Sequence, residues 1–299
     1  MKGTTLLVIL FILSLLAFGA TQVISGKLKP TGTLSLFSFR PQLKIETADL
    51  SKSSNPGTTQ PPVVSDVVKL PAGVSKSDVS PWYGQVKISS FNPNRSFGDR
   101  NGFVLNASLN SAKAVSVTGW QVKANRWDVK IPSGASDYPP YGLLPEGNIT
   151  LENGGVLRAQ YGVSPIGKNF RPNICSNYLK QTYAFEPQLP SMNCPPVYTR
   201  EEIAVAAGAC QNLLMSIQNS CRPATSEETS KLTYMEFRDC EPFLKRLNYN
   251  DCYSKNKSNT DFYSKEWIVW LKNPVLADKD HDQVLLLDEN GLLVDKYIY

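Results

Sequence analysis

The chain has 299 residues, enough for one or two domains and a sizeable core. Charged residues are 19% of it, beside 19 Gly and 21 Pro, a neutral, loop-rich composition that fits secreted β proteins better than cytosolic α/β enzymes. The net charge of +5 does not point to nucleic acid: residues 1–79 hold 8 Lys/Arg against 4 Asp/Glu, the remainder is nearly neutral, and no basic stripe with interleaved aromatics occurs.

Residues 1–25 read as an export segment. Lys2 is a short positive region and an apolar run follows from Leu6 to Phe18. Weak apolar character continues through Val23 and Ile24, close to the ~20 residues that span a bilayer. A cleaved signal peptide and an uncleaved membrane anchor are both open. Residues 26–80 are rich in Ser, Thr, Pro and Gly, as in SKSSNPGTTQPPVVSD, and read as a flexible linker with one apolar patch, LSLFSF.

From residue 81 the texture changes to short alternating runs separated by turn residues. Val86 and Ile88 alternate in GQVKIS, then FVLNASLN follows, then Val115 and Val117 lead into TGWQVKAN. Trp127, Val129 and Ile131 alternate in RWDVKIP, and GGVLRAQYG is a turn and a strand. Period-two alternation at this spacing predicts an antiparallel sandwich over residues 81–299.

Residues 165–262 interrupt it with an irregular, Pro-rich stretch and then helices. TREEIAVAAGACQNLLMSIQNSC reads as one helix, with Thr199 as N-cap and Glu202 completing a capping box. Ile203, Ala207, Cys210, Leu214 and Ile217 fall near one face. A second helix is expected around YMEFRDCEPFLKRL, limited or kinked at Pro242.

All six cysteines, Cys175, Cys194, Cys210, Cys221, Cys240 and Cys252, lie in this insertion. An even count in an exported chain predicts disulfides. A metal site is disfavoured, because there is no C-x-x-C and the sole histidine lies far away. Helical spacing favours nested bridges, Cys221–Cys240 and Cys210–Cys252, with Cys175–Cys194 as a local staple.

The sandwich resumes with EWIVWLKN, DQVLLLD and LLVDKYIY. A turn at Glu289-Asn290-Gly291 between the last two runs predicts a hairpin, because Asn and Gly both tolerate positive φ. The final strand is expected at a sheet edge, with Asp295 and Lys296 discouraging association.

TGWQVKAN, followed by VKIPSG, together with EWIVWLKN and the closing HDQVLLLDENGLLVDKYIY, resembles a lamin tail domain. That resemblance covers roughly residues 82–160 and 264–299 and implies an immunoglobulin-like β-sandwich. It implies a core strand after Gly119-Trp120 and a closing hairpin through Gly291. NIC at Asn173 and NCP at Asn193, ahead of a Cys-containing helix, also resemble exported proteins of small-genome candidate-phylum bacteria. Both resemblances speak to fold more than to function.

Candidate sites are few. Asp278, Asp280, His281 and Asp282 lack calcium-loop spacing and read as a solvated turn. Trp120, Trp127, Trp267 and Trp270 offer either a carbohydrate platform or core, and alternation favours core. Trp82 and Tyr83 stand at the domain entrance. The Tyr- and Pro-rich loop over residues 137–147, with Asp137, Tyr138 and Tyr141, is the best candidate binding edge. Asn94, Asn106, Asn148 and Asn256 lie in N-x-[ST] sequons. No nucleophile, metal or phosphate motif occurs, so no catalytic residue, metal or cofactor is assigned. The expected function is a non-enzymatic exported or membrane-tethered surface module for adhesion, envelope organisation or ligand binding. Its partner would be a protein or carbohydrate of the surface or envelope. The alternative is an accessory domain that binds extracellular carbohydrate or nucleic acid in support of a hydrolase.

Overall fold

The computed structural model describes residues 70, 73–93, 101–111, 113–141, 145–275 and 283–299. The export segment, most of the linker with LSLFSF, Asn94 and the Asp278–His281–Asp282 cluster lie outside them.

Two four-stranded sheets form a β-sandwich. One has the order β1 (Val86–Asn92), β2 (Gly102–Ala107), β7 (Val156–Tyr161), β8 (Glu266–Leu271). The other runs β10 (Leu293–Ile298), β9 (Gln283–Leu287), β4 (Gln121–Lys123), β5 (Asp128–Lys130). A small ribbon pairs β3 (Val115–Ser116) with β6 (Thr150–Leu151). The alternation reaches the core as expected: Val86, Ile88, Leu105, Val122, Leu157, Val284 and Leu286 are all buried between the sheets. Gly119 turns with φ 84°, and Trp120 behind it is 2% exposed. A side chain at Gly119 would be strained there, which explains the Gly-Trp pair.

The sandwich is not wholly antiparallel. β7 and β8 pair in parallel, Val156 opposite Glu266 through Tyr161 opposite Leu271. Parallel neighbours need a long crossover, and residues 165–262 are that crossover. They remain attached at its neck. Phe170 exchanges backbone bonds with Ile268 on the outer edge of β8, and Asn173 bridges to Tyr263.

β8 therefore has core on both faces. Trp267, Val269 and Leu271 face the sandwich, whereas Ile268 and Trp270 belong to a second core inside the crossover. Trp270 is core, as expected, but not of the sandwich. Its ring stacks on Phe170 at 6.2 Å and its indole N–H donates to the Glu186 carbonyl at 2.6 Å. Trp267 donates to the Thr150 carbonyl at 2.9 Å, so the two indoles of β8 are both satisfied.

The expected single helix is two, α1 (Arg200–Ala204) and α2 (Gly208–Ile217). The Thr199–Glu202 capping box is present. The break at residues 205–207 shifts the phase, so Ala206 is buried and Ala207 is exposed. Then come α3 (Ser226–Thr229), α4 (Tyr234–Leu244) and α5 (Tyr249–Asn256). Capping boxes Thr225–Glu228 and Thr233–Glu236 start α3 and α4, and Pro242 sits inside α4.

All six cysteines are bridged, but the nested pairing is wrong. The bridges are Cys175–Cys252, Cys194–Cys221 and Cys210–Cys240. Cys221 lies beyond the end of α2 with φ 47°, so it does not share a face with Cys210. Cys210 instead meets Cys240 where α2 packs on α4. With separations of 77, 27 and 30 residues, loop-closure entropy gives each bridge about 3.5–4.5 kcal/mol.

The closing hairpin pairs β9 with β10 antiparallel. Only Gly291 takes positive φ, at 80°. The turn is organised by Asp288, 6% exposed, whose carboxylate accepts from the backbone of Asn290 and Leu292 at 2.9 Å each. The outer side of β10 is partly occupied. Val79 bridges to Leu293, Ser80 and Gly84 donate to Leu293 and Val294, and Asp295 accepts from the Ile88 N–H at 2.7 Å. Val79 and Ser80 thus belong to the sandwich, so the folded unit begins before residue 81.

Because β8 serves both cores, Trp267→Ala is expected to cost about 3–5 kcal/mol, as for other buried Trp truncations. In urea, amide hydrogen-exchange protection of the sandwich strands and of the crossover helices should be lost together. Separate transitions would show the two cores to be independent.

Candidate functional site

A concavity of about 750 Å³ lies where the sandwich meets its crossover. One wall is the edge strand β5 with Val129 and Lys130. Pro132, Ser133 and Glu146 continue it. The other wall is the turn over residues 162–169 and the end of β8 from Trp270 to Asn273.

That turn is fixed locally. Gly162 has φ 141° and donates to the Leu271 carbonyl at 3.0 Å. Ser164 accepts from the Lys168 N–H at 3.1 Å and donates to the Lys168 carbonyl at 2.6 Å, with Gly167 at φ 73° between them. Asn169 ties both walls: its amide donates to the Ser133 carbonyl at 2.9 Å, and its side-chain oxygen accepts from the Trp270 N–H at 2.8 Å.

Among the described residues three lysines line the cleft, Lys130, Lys168 and Lys272, against one carboxylate, Glu146. Glu146 is already held by Lys168 at 3.3 Å and by the Ser133 hydroxyl at 3.1 Å. Lys130 and Lys272 make no ion pair among the described residues. Val163, 88% exposed, is the apolar group on the rim. The chemistry on offer is ammonium, amide and backbone, which suits binding an anionic or hydrogen-bonding partner.

A second hollow of about 550 Å³ lies at the neck of the crossover. Arg171 pairs with Glu152 at 3.3 Å and lies over the Tyr263 ring at 5.6 Å. Asn193, Asp261 and Lys265 complete a polar rim. Burial foremost, and then the Asp137 carboxylate, push the Tyr263 phenol up. The wall at residues 190–193 leads directly into the Cys194–Cys221 bridge.

The loop expected to bind a partner is largely spent inside the molecule. Asp137 accepts from the Tyr253 hydroxyl, the Tyr138 carbonyl accepts from the Tyr249 hydroxyl, and the Tyr141 hydroxyl accepts from Asn250 at 2.6 Å. All three partners sit on α5, so this loop docks the crossover onto the sandwich. Desolvation pushes the Tyr249 and Tyr253 phenols well up, with Asp137 adding to the rise at Tyr253. Of the three residues only Tyr141, 78% exposed, is open to solvent.

Trp120, Trp127, Trp267 and Trp270 are all buried, so they form core and not a platform. Trp82 and Tyr83 are half-buried. Among the sequons, Asn106 and Asn148 are exposed, whereas Asn256 is 7% exposed and donates to the Cys252 carbonyl. No cluster of metal-ligating side chains occurs among the described residues. Sequence reasoning did not single out Lys130, Glu146, Lys168 and Lys272, which come from four separate segments. Gly162 and Gly167 were the local signal that residues 162–169 make a built turn.

Tyr253→Phe removes one hydrogen bond to a carboxylate and should cost about 1.5–3 kcal/mol. Thermal unfolding checks this, and an unchanged midpoint would mean that the loop does not anchor α5. No protein-family model, no curated protein and no solved structure matches the chain.

Proposed function

We propose that the protein is a non-enzymatic, exported or membrane-tethered surface module. On this reading the sandwich is of the immunoglobulin-like, lamin-tail type, and the N-terminal segment delivers it to the envelope. The three disulfides support an oxidising compartment. The carrying observation is the 750 Å³ cleft. Its walls are locked by hydrogen bonds, its lysines face a concavity, and its one carboxylate is already neutralised by Lys168. Such a lining suits holding a partner through charge and hydrogen bonds.

Envelope material from the producing cell, sedimented with the full chain, should retain it. Lys130→Glu with Lys272→Glu alters exposed side chains only and should remove most of that retention. Equal retention by the variant would overturn the cleft as the binding edge.

The neck hollow favours a second reading, an accessory domain that binds extracellular carbohydrate. A tyrosine ring beside arginine, carboxylates and an asparagine suits the apolar face and hydroxyls of a sugar. Affinity electrophoresis on neutral and acidic polysaccharides tests it: Tyr263→Ala should abolish retardation where the full chain shows it. Absence of retardation on every gel would remove this reading.

A further inference from the structure

The cleft contains an open sheet edge. β5 is the last strand of its sheet, and among the described residues no strand pairs with its outer side. The register shows which groups are open. Ala124 donates to Trp127, and Ile131 donates to Trp120. Val122 opposite Val129 is therefore a hydrogen-bonded pair, and Gln121 opposite Lys130 and Lys123 opposite Asp128 are not. In an antiparallel ladder, the N–H and C=O of Asp128 and Lys130 consequently point away from β4, on the side where no strand pairs among the described residues.

The surroundings say what would pair with them. Lys130 projects from the exposed face of β5 and Val129 is half-buried on the other. Lys168 and Lys272 stand across the cleft, and the one lining carboxylate is occupied. Asp128 accepts from the Gln121 amide at 2.8 Å and keeps its charge, so the position opposite it suits a neutral side chain.

Building on the surface-module reading, we propose that the cleft binds an extended acidic peptide segment, which adds as a strand to the outer edge of β5. An acidic side chain would sit opposite Lys130, an apolar one would cover Val129, and a neutral polar one would face Asp128. Main-chain bonds to Lys130 and Asp128 would supply affinity, and Lys130 and Lys272 would select charge. Three residues of strand span roughly 10 Å, which matches a short linear segment and not a folded face. The shortness of β5 and the charges on it also protect the edge from copies of itself.

The test is fluorescence anisotropy with the full, disulfide-bonded chain and a synthetic ten-residue peptide alternating Glu with Val and Thr. A second peptide of the same sequence is N-methylated at alternate residues, which removes hydrogen-bond donors and keeps the charge. Expected are at least ten-fold weaker binding of the methylated peptide and at least ten-fold weaker binding to the Lys130→Glu, Lys272→Glu variant. Binding should also weaken as salt is raised, because exposed charges are screened. Equal binding of both peptides would overturn strand addition. A sodium polygalacturonate competitor matched in charge that displaces the peptide and itself binds more tightly would overturn the peptide as the ligand class. Envelope retention that depends on the two lysines, without peptide binding, would overturn this inference and leave the surface module standing.

Discussion

β8 is the constraint on which the rest depends. Its six residues, EWIVWL, are buried at every position but the first. One face completes the sandwich through Trp267, Val269 and Leu271, and the other completes the crossover core through Ile268 and Trp270. Neither core closes without this strand. A polar residue at any of these five positions would leave an unsatisfied group in one core or the other. The strand must also arrive parallel to β7, which requires the chain to travel outward and return to the same end of the sheet. The long crossover follows from that requirement.

A crossover of nearly a hundred residues has to be made rigid, or its entropy would oppose the return. The neck does this with backbone pairs at Phe170–Ile268 and Asn173–Tyr263. Just inside it, Cys175–Cys252 ties the first buried turn to α5, and Asn173 reaches the Tyr249 hydroxyl at 2.8 Å. Further out, Cys210–Cys240 joins the two longest helices. Arg222 grips Glu228 through two bonds at 2.6 and 2.7 Å beside Cys221, which holds that carboxyl at about 2. The short helices gain little from propensity, since isolated helices of this length are marginal. Capping boxes, disulfides and a shared aromatic core hold them instead.

Local features were legible in the sequence and long-range ones were not. The Thr199–Glu202 capping box and the alternation of β1 and β9 are each set by residues a few positions apart. Disulfide pairing was misread because it depends on where a helix stops. The break at residues 205–207 and the positive φ of Cys221 move both cysteines off the expected face. The unbroken apolar run of β8 did carry a signal, since a strand buried on both faces loses its alternation. Asp288 was missed because an acidic residue before Asn-Gly reads as solvent-facing, whereas here backbone amides satisfy it. The cleft was illegible because Lys130, Glu146, Lys168 and Lys272 converge only after the crossover has folded.

The position of the cleft follows from how the sandwich closes. At one side Asp295 bonds the Ile88 backbone and draws β10 against β1, so that side is shut. At the other, the edge of β8 is taken by Phe170. That pairing leaves β5 as the unpaired edge and sets the turn at residues 162–169 against it as a second wall. The same segment that shields one edge therefore makes the other into a lined concavity. An insertion after β7 needs no reactive group of its own to create a site, because covering β8 is enough to turn a bare sheet edge into a cleft with a fixed charge pattern.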